Sequence, residues 1–260
     1  MKKPIYEIPE KITARGILLE SDINLKAYSD FVLSNYSSKK ARENLRKFKT
    51  ENGELTSSSP FMNTALFNSG LLPGKRLATR EDMELILIKQ PDYFDGVYSD
   101  FGLSLMTSTD SYEPNKFLTE NLYEQLNQRE IAIPEGGLLI PLTVLGKPEE
   151  NSNSCYGLTF KFKDLSSSEL KSHLRNISDY KWNWTRDEGL ARTYQFGQVW
   201  NRNGEHLGDS FSDGRVVGVW EADAPNNLGL GYLDEQWKSA FEKAKVHGMY
   251  ETVKQHLQDN

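Results

Sequence analysis

The segment from residue 182 to residue 220 constrains the fold most, because its ends and its middle differ in composition. Two apolar stretches, 189–192 and 214–220, contain residues that are typical of half-buried strands, so we expect them to be fixed scaffold. Between them lie aromatic, amide, charged and small side chains, a mixture that is typical of binding loops. The simpler alternative is an ordinary twisted hairpin that turns at Asn203-Gly204, a strong hairpin dipeptide.

The middle of this segment divides into inward anchors and outward candidates for contact with a ligand. Trp200 and Leu207 are predicted to point inward and, with Val216 and Val219, to hold the backbone. Surface substitutions usually change stability by no more than about 0.5 kcal/mol, so outward positions can vary without loss of the fold. Exposed aromatic residues and Arg202 would then provide most of the binding energy. The outward candidates are Tyr194, Phe196, Asn201, Arg202, Asn203, Gly204, His206, Asp209, Phe211 and Ser212.

The single cysteine and the charge balance limit the class of protein. Cys155 alone cannot form an intramolecular disulfide, a CxxC redox pair or a multi-thiolate zinc site. The formal net charge of -6 gives no overall electrostatic reason to bind nucleic acid or an anionic membrane. No stretch approaches the roughly 18 uninterrupted apolar residues of a membrane span, and the N-terminus lacks the apolar run of a secretory signal. We expect no nucleic-acid partner, no membrane insertion and, by default, a cytoplasmic location, with surface display only by another route.

Motifs that would specify a reaction are missing from the sequence. There is no Walker loop, GxGxxG, HExxH or GxSxG motif, and the histidines have no metal-ligand spacing. We therefore expect no cofactor, no metal and no catalytic residue. The rival hypothesis is a hydrolase that uses two carboxylates of the same segment. Its candidates are Asp187, Glu188, Asp209, Asp213, Glu221 and Asp223.

The pattern of apolar residues predicts a mixture of helices and short strands. Helical spacing predicts helices over 24–49 (one or two, with a possible cap at Ser21-Asp22), 60–70, 80–89, 114–129, 166–177 and 233–257. Edge strands are expected within 1–20, strand and turn over 93–109, and a half-buried strand over 156–162. The polar, serine-containing run 50–59 predicts a loop. This order favours an α+β fold rather than regular βαβ alternation.

Two short tripeptides resemble the calcium- and sugar-binding signatures of animal C-type lectins. They are residues 90–92 (Gln-Pro-Asp) and 113–115 (Glu-Pro-Asn). A calcium site needs several converging oxygen ligands, and one tripeptide supplies at most two of them. The Trp-Asn-Asp sequence that usually follows is missing, because Trp200 precedes Asn201-Arg202. We interpret both tripeptides as coincidence.

Residues 74–84 carry a different resemblance, to the helix start of C-type-lectin-fold proteins of the formylglycine-generating-enzyme type. This sequence has Ala78 where that family has proline. The resemblance implies a C-type lectin-like fold with short twisted antiparallel strands and flanking helices. It also argues against the activity of that enzyme class, whose catalysis depends on cysteines that this chain lacks.

A third resemblance involves the scaffold of the 182–220 segment. The order of residues 189–192 (Gly-Leu-Ala-Arg), Trp200, Leu207, Ser210 and 214–217 (Gly-Arg-Val-Val) resembles the variable region of archaeal diversity-generating-retroelement proteins. Residues 98–103 and 153–158 also resemble that family, so the resemblance covers most of 70–220. In such systems an error-prone reverse transcriptase replaces template adenines, and the protein variants bind different ligands through a C-type lectin fold.

The retroelement resemblance implies a site and a division of the chain. Its implied scaffold residues are Arg192, Trp200, Leu207, Ser210, Gly214 and Arg215. It implies a C-type lectin-like domain over 56–225 with the variable region at about 182–220. Residues 1–55 would be an N-terminal extension that packs on this domain, and 226–260 a C-terminal helical segment.

The genetic code tests which positions adenine replacement could vary. An AAC codon with both adenines randomised can encode Tyr, Phe, Asn, Arg, Gly, His, Asp or Ser, but never Trp, Gln, Glu, Lys or Met. All the outward candidates satisfy this rule, whereas Gln195, Gln198, Trp200 and Glu205 do not. The resemblance therefore implies a non-enzymatic ligand-binding protein whose partner is a protein or surface ligand that differs among variants.

Overall fold

The computed structural model describes residues 17–19, 22–106, 112–183, 189–204 and 206–220, which mix helix and sheet. The helices are α1 (Leu25–Asn35), α2 (Lys39–Leu45), α3 (Pro60–Phe67), α4 (Arg80–Lys89), α5 (Lys116–Asn127) and α6 (Ser167–His173). The strands are β1 (Lys49–Glu51), β2 (Glu54–Thr56), β3 (Lys75–Leu77), β4 (Tyr98–Leu105), β5 (Leu138–Pro141), β6 (Glu149–Glu150), β7 (Leu158–Thr159), β8 (Arg175–Asn176), β9 (Leu190–Phe196), β10 (Val199–Asn203) and β11 (Gly218–Trp220). The strands predicted before residue 17 and the helix predicted over 233–257 lie outside these ranges.

A five-stranded sheet, in the order β10-β9-β4-β5-β8, curls into an antiparallel half-barrel. The register of β4 against β9 shifts between Asp100 and Gly102. A Cβ atom at Gly102 would lie 2.7 Å from Thr193 Oγ1 and 3.0 Å from the Ile140 carbonyl oxygen. A side chain at Gly102 would therefore force the neighbouring strands apart, and glycine lets them pair through this irregularity.

Local capping signals explain where the predicted helices begin. α3 follows Ser59, α4 follows Thr79 and α6 follows Ser166, and each of these side chains accepts a hydrogen bond from a first-turn amide. These helices are confirmed, although α6 ends at His173 rather than at Ile177. One or two helices were expected within 24–49, and two are present. The cap of α1 is Asn24 rather than the predicted Ser21-Asp22, because the Asn24 side chain accepts from two amides of the first turn.

Two hydrophobic clusters pack against the sheet, and β5 contributes alternate residues to them. Leu138 and Ile140 belong to the cluster that includes α1, α2, α3 and α5, whereas Leu139 belongs to the cluster that includes α4. Alternation of this kind places the clusters on opposite faces of the strand. Since Tyr28 and Leu45 are members of the first cluster, the described part of residues 1–55 shares a core with the rest of the chain.

Two sequence predictions were wrong in detail. Residues 50–59, expected to be a loop, contain the β1–β2 hairpin, which turns at Asn52-Gly53 with φ of 53° and 77°. Positive φ at both positions is the type I′ geometry that Asn-Gly favours. The strand expected over 156–162 is regular only at β7, and it is buried at nearly every position rather than half-buried.

Within the described ranges, no helix combines the length and the apolar composition that crossing a membrane would require.

Candidate binding site

The centre of the 182–220 segment is the β9–β10 hairpin. Phe196 pairs with Val199, so the turn consists of Gly197 and Gln198, and Gly197 has a φ of 55°. Asn203, by contrast, still pairs with Arg192 at the far end of the hairpin. The alternative prediction of a turn at Asn203-Gly204 is therefore wrong. The backbone at Gly197 is left-handed, a conformation that glycine adopts without penalty.

The hairpin places its candidate residues on two different faces. Residues that pair directly across an antiparallel ladder point to the same side. Tyr194 pairs with Asn201 and Phe196 with Val199, which defines what we call the Tyr194 face. Trp200 and Arg202 occupy the intervening positions of β10 and point to the opposite side.

The loop of residues 206–214 lies against the Tyr194 face. Arg192, on that face, donates from Nη1 to the Asp209 carbonyl at 2.9 Å. The Tyr98 ring lies 5.9 Å from the Tyr194 ring, and its hydroxyl accepts from the Phe211 amide at 3.0 Å. The sheet and the 206–214 loop therefore form one continuous surface.

Most of the outward candidates are accessible on this surface. Phe196 is 42% exposed and Phe211 is 60% exposed, both high values for large apolar side chains. His206 and Ser212 are exposed, and Tyr194, Asn203 and Asp209 are half-buried. Large exposed aromatic rings among small polar groups are the usual composition of an interaction surface.

Three outward candidates are buried, and the prediction that they are open to water is wrong. Asn201 is 7% exposed and Arg202 is 6% exposed, and Gly204 is also buried. Arg202 points away from the Tyr194 face, with Cζ 5.5 Å from the Trp182 ring centroid and Nη1 3.0 Å from Met106 Sδ. The prediction that Arg202 is exposed and provides binding energy is therefore wrong.

The backbone around the 206–214 loop is held by side chains that lie outside the loop. The hydrogen bonds are Asn115 Nδ2 to the Gly204 carbonyl, the Leu207 amide to the Tyr156 hydroxyl (3.1 Å), Lys47 Nζ to the Gly208 carbonyl (2.6 Å), Arg192 Nη1 to the Asp209 carbonyl (2.9 Å) and the Phe211 amide to the Tyr98 hydroxyl (3.0 Å). Each bond reaches a main-chain atom. The path of the loop is therefore fixed by groups that a substitution at His206, Phe211 or Ser212 would leave in place.

A buried ion pair supports this arrangement. Asp100 accepts from Arg192 at 2.7 Å (Nε to Oδ1) and 2.5 Å (Nη2 to Oδ2), and the side chains are 0% and 6% exposed. Ser58 donates from Oγ to Asp100 Oδ2 at 2.7 Å, which satisfies the carboxylate further. Burial alone would lower the pKa of Arg192, but the charge and hydrogen bonds of Asp100 outweigh it and the pKa is raised. The guanidinium therefore stays charged.

The scaffold residues predicted from the sequence have clear structural roles at most positions. Trp200 (6%), Leu207 (0%), Val216 (0%) and Val219 (5%) are buried, as predicted. A Cβ at Gly214 would lie 2.6 Å from the Ser58 amide nitrogen, so only glycine fits there. Arg192 forms the ion pair described above. Arg215 donates to Glu54 Oε2 (3.1 Å) and to the Ser212 carbonyl (2.8 Å). Ser210 is half-buried.

His206 has a less common backbone conformation and a contact outside the segment. Its φ is 40°, in the left-handed region that His, Asn, Asp and Gly adopt more readily than other residues. Its Nε2 lies 3.0 Å from the Tyr112 hydroxyl, with the rings 5.2 Å apart. Tyr112 therefore adds a fixed aromatic ring to the edge of the surface.

Sequence reasoning missed the residues that hold the loop from a distance. Asn115 belongs to the tripeptide that resembles a lectin signature, yet it is fully buried and bonds the Leu190 and Gly204 carbonyls and the Tyr156 hydroxyl. Lys47 lies among the alternating charges of residues 39–49, a pattern that is typical of a solvated helix face. The only sequence signal for Asp100 and Tyr156 was their membership of the stretches that resemble the retroelement family.

The acids of the hydrolase hypothesis are only partly described. Asp209 and Asp213 are half-buried residues of the 206–214 loop, and the other four candidates lie outside the described residues. Among the described residues, no group of three or more His, Cys, Asp or Glu side chains is arranged to hold a metal ion. The chain matches no protein-family model, no curated protein and no solved structure.

Proposed function

We propose that this protein is a non-enzymatic ligand-binding protein whose surface around Phe196 and Phe211 contacts a protein or surface ligand. The contact positions that are exposed or half-buried and also satisfy the AAC rule are Tyr194, Phe196, Asn203, His206, Asp209, Phe211 and Ser212. The partner differs among variants of the protein, because these positions are diversified by retroelement-directed replacement of adenines. The fold that carries them is C-type lectin-like.

One observation carries this proposal. Side chains outside the 206–214 loop form hydrogen bonds with main-chain atoms of the loop. A conventional loop depends partly on its own side chains, so several simultaneous changes would alter its path. Here the Tyr98, Tyr156 and Lys47 side chains bond main-chain atoms of the loop, so none of these contacts uses a side chain at positions 206, 211 or 212. Such a loop can exchange its contact groups and keep its shape.

The resemblance to retroelement variable proteins supports the same conclusion from another direction. Its motif residues coincide with packed positions: Arg192 in the buried ion pair, Trp200 against Phe101 with rings 5.4 Å apart, and Gly214 against Ser58. The positions between those residues include the exposed ones. This division of roles is what a fixed scaffold with variable contacts requires.

Two matched libraries test the proposal. In the first, Phe196, Asn203, His206, Phe211 and Ser212 are replaced by NNC codons. In the second, the buried Thr193, Asn201, Arg202, Gly204 and Gly208 are replaced in the same way. Both are displayed on yeast and sorted for protease resistance. We expect most members of the first library and few members of the second to remain folded, because buried substitutions create cavities or clashes.

Selection of the folded first library against lysozyme and streptavidin tests binding itself. The proposal predicts distinct binders for the two targets that differ only at the randomised positions. Equal loss of folding in both libraries would contradict it. The hydrolase hypothesis predicts instead that the natural protein turns over ester or glycoside probes, and that D209N or D213N abolishes the turnover.

A further inference from the structure

Lys47 connects the N-terminal helices to the loop that carries the proposed contact residues. It lies two residues beyond the end of α2, and its Nζ donates to the Gly208 carbonyl at 2.6 Å. The same Nζ donates to Asn44 Oδ1 at 3.3 Å. Gly208 is 161 residues away in sequence, so the contact joins two distant parts of the chain.

The contact leaves no space at Gly208. A Cβ there would lie 2.7 Å from Asn44 Oδ1 and 3.1 Å from Tyr156 Cδ1. Asn44 is itself fixed, because its Nδ2 donates to the Tyr156 carbonyl at 2.9 Å. The loop backbone at Gly208 therefore lies directly against the side chains of Asn44, in α2, and Tyr156, two residues before β7.

α2 is in turn anchored to the body of the protein. Glu150 accepts from the Ser38 amide at 2.5 Å and from the Ser37 hydroxyl at 2.8 Å, just before the helix begins. Tyr36 donates its hydroxyl to the Pro148 carbonyl at 2.8 Å. The helix thus has a fixed position from which Lys47 and Asn44 reach the loop.

We infer that Lys47, assisted by Asn44, is a positioning residue for the 206–214 loop, so that the N-terminal helical segment is an integral part of the contact site rather than an appendage to it. The inference rests on the proposed function for its claim that the loop contacts a ligand. Lys47 acts through Gly208 and need not touch the ligand itself.

The surroundings of the half-buried Lys47 side chain agree with a positioning role. Burial lowers the pKa of Lys47, the Arg192 guanidinium lowers it further, and the carboxylates of Asp209 and Glu43 act in the opposite direction. An ammonium group kept in such an environment needs good acceptors, and the Gly208 carbonyl and the Asn44 amide oxygen supply them.

Hydrogen–deuterium exchange on Lys47→Met in the full chain tests this inference. Methionine keeps an unbranched chain of four heavy atoms in place of five and removes the ammonium donor. We expect the peptide that covers residues 206–213 to exchange about tenfold faster, equivalent to about 1.4 kcal/mol at 25 °C, with the β4 and β5 peptides unchanged. Lys39→Met is the matched control, because the Lys39 side chain is 91% exposed, and it should leave the loop unaffected.

Two outcomes would overturn the inference. One is an unchanged exchange rate of the loop amides in Lys47→Met. The other is an equal increase in the exchange rate over the whole chain, which would show that Lys47 stabilises the fold in general and does not position the loop. If Lys47→Met does not fold, Lys47→Leu also removes the donor and is read in the same way. Because the measurement involves no ligand, it can fail while the library experiment succeeds, and the reverse, so the two proposals are separable.

Discussion

Asp100 and Arg192 meet beneath the 206–214 loop in a bidentate ion pair, with Nη2 and Oδ2 2.5 Å apart and both side chains almost completely buried. The same guanidinium donates to the Asp209 carbonyl and to the Ser58 carbonyl. One pair thus links β4, β9, the residues before α3 and the loop. Its removal should affect the whole surface.

Asp100→Asn should therefore be strongly destabilising. Removing one partner of a buried ion pair leaves an uncompensated charge, at a cost of about 3–5 kcal/mol. Urea unfolding measures the difference. Asp30→Asn is the matched control, because the Lys26–Asp30 pair has exposures of 83% and 58%, and solvent screening should leave its removal with little effect on stability. A loss below about 1 kcal/mol for Asp100→Asn would contradict the assigned role.

Gly214→Ala should destabilise the protein through a steric clash. The added Cβ would lie 2.6 Å from the Ser58 amide nitrogen and 2.9 Å from the Ser57 carbonyl carbon, both of which are backbone atoms that cannot turn aside. We expect a loss of about 1–3 kcal/mol in the free energy of unfolding. Gly146→Ala is the control, since its Cβ would meet only the Lys161 carbonyl oxygen at 3.6 Å. Equal effects of the two substitutions would show that the close approach is wrong.

Arg202→Ala and Phe211→Ala should differ in their effect on stability, because Arg202 is buried and Phe211 is exposed. Arg202 is packed against Trp182 and Met106, so its truncation should lower stability by about 1–2 kcal/mol. Phe211 is 60% exposed, and its truncation should change stability by less than about 0.5 kcal/mol. Thermal unfolding of both variants checks the assignment. The reverse order of effects would mean that Arg202, not Phe211, faces outward.

The backbone at position 206 should restrict which diversified residues are accepted. Because φ is 40°, His206→Asn and His206→Gly should leave stability nearly unchanged, whereas His206→Val should cost about 1–2 kcal/mol. Valine is also encoded by an NNC codon, so this filter acts on the protein and not on the codon. Sequencing of the folded first library checks the prediction. Valine recovered at 206 as often as at Ser212 would contradict it.

Alkaline pH should reduce the stability that Tyr156, which accepts from the Leu207 amide of the loop, contributes to the fold. Burial raises the pKa of this phenol above its usual value of 10.0, chiefly because it disfavours the phenolate. Above pH 10 the unfolded chain therefore releases a proton that the folded chain retains. The contribution of Tyr156 to stability is complete below pH 10 and declines as the pH rises towards the folded pKa.

Tyr156→Phe should flatten that decline. Urea unfolding at pH 8 and pH 11 measures the slope for both proteins. Tyr112→Phe is the control, because Tyr112 is only half-buried at the edge of the surface. An identical loss of stability with pH in the Tyr156→Phe variant would show that Tyr156 does not contribute to it.

Local signals accounted for much of the fold. The Ser59-Pro60 start of α3 and the Thr79 cap of α4 depend on hydrogen bonds within one turn, so the sequence alone identifies them. The Asn52-Gly53 turn is equally local, yet the polar composition of residues 50–59 obscured it. Composition describes average exposure, whereas the buried Ser58 hydroxyl is satisfied by a hydrogen bond to Asp100, forty-two positions away.

The contact site was predictable only in part, because its supports are distant in sequence. The exposed Phe196 and Phe211 and the buried Trp200 follow from residue type and motif order. The hydrogen bond from Lys47 to the Gly208 carbonyl joins residues 161 positions apart, and no periodic pattern in the sequence indicates it. Arg202 was misplaced because arginine is common on interaction surfaces, while its actual direction depends on the β9–β10 register.

The most direct measurement is a crystal structure of the quintuple variant Y194S/F196N/N203Y/H206N/F211R, in which every replacement can be encoded by an NNC codon. If outside side chains fix the loop, the backbone of residues 190–214 will superimpose on the parent protein within about 1 Å, with the Lys47, Tyr98, Tyr156 and Arg192 contacts retained. A loop that has moved or lost those contacts would contradict the account.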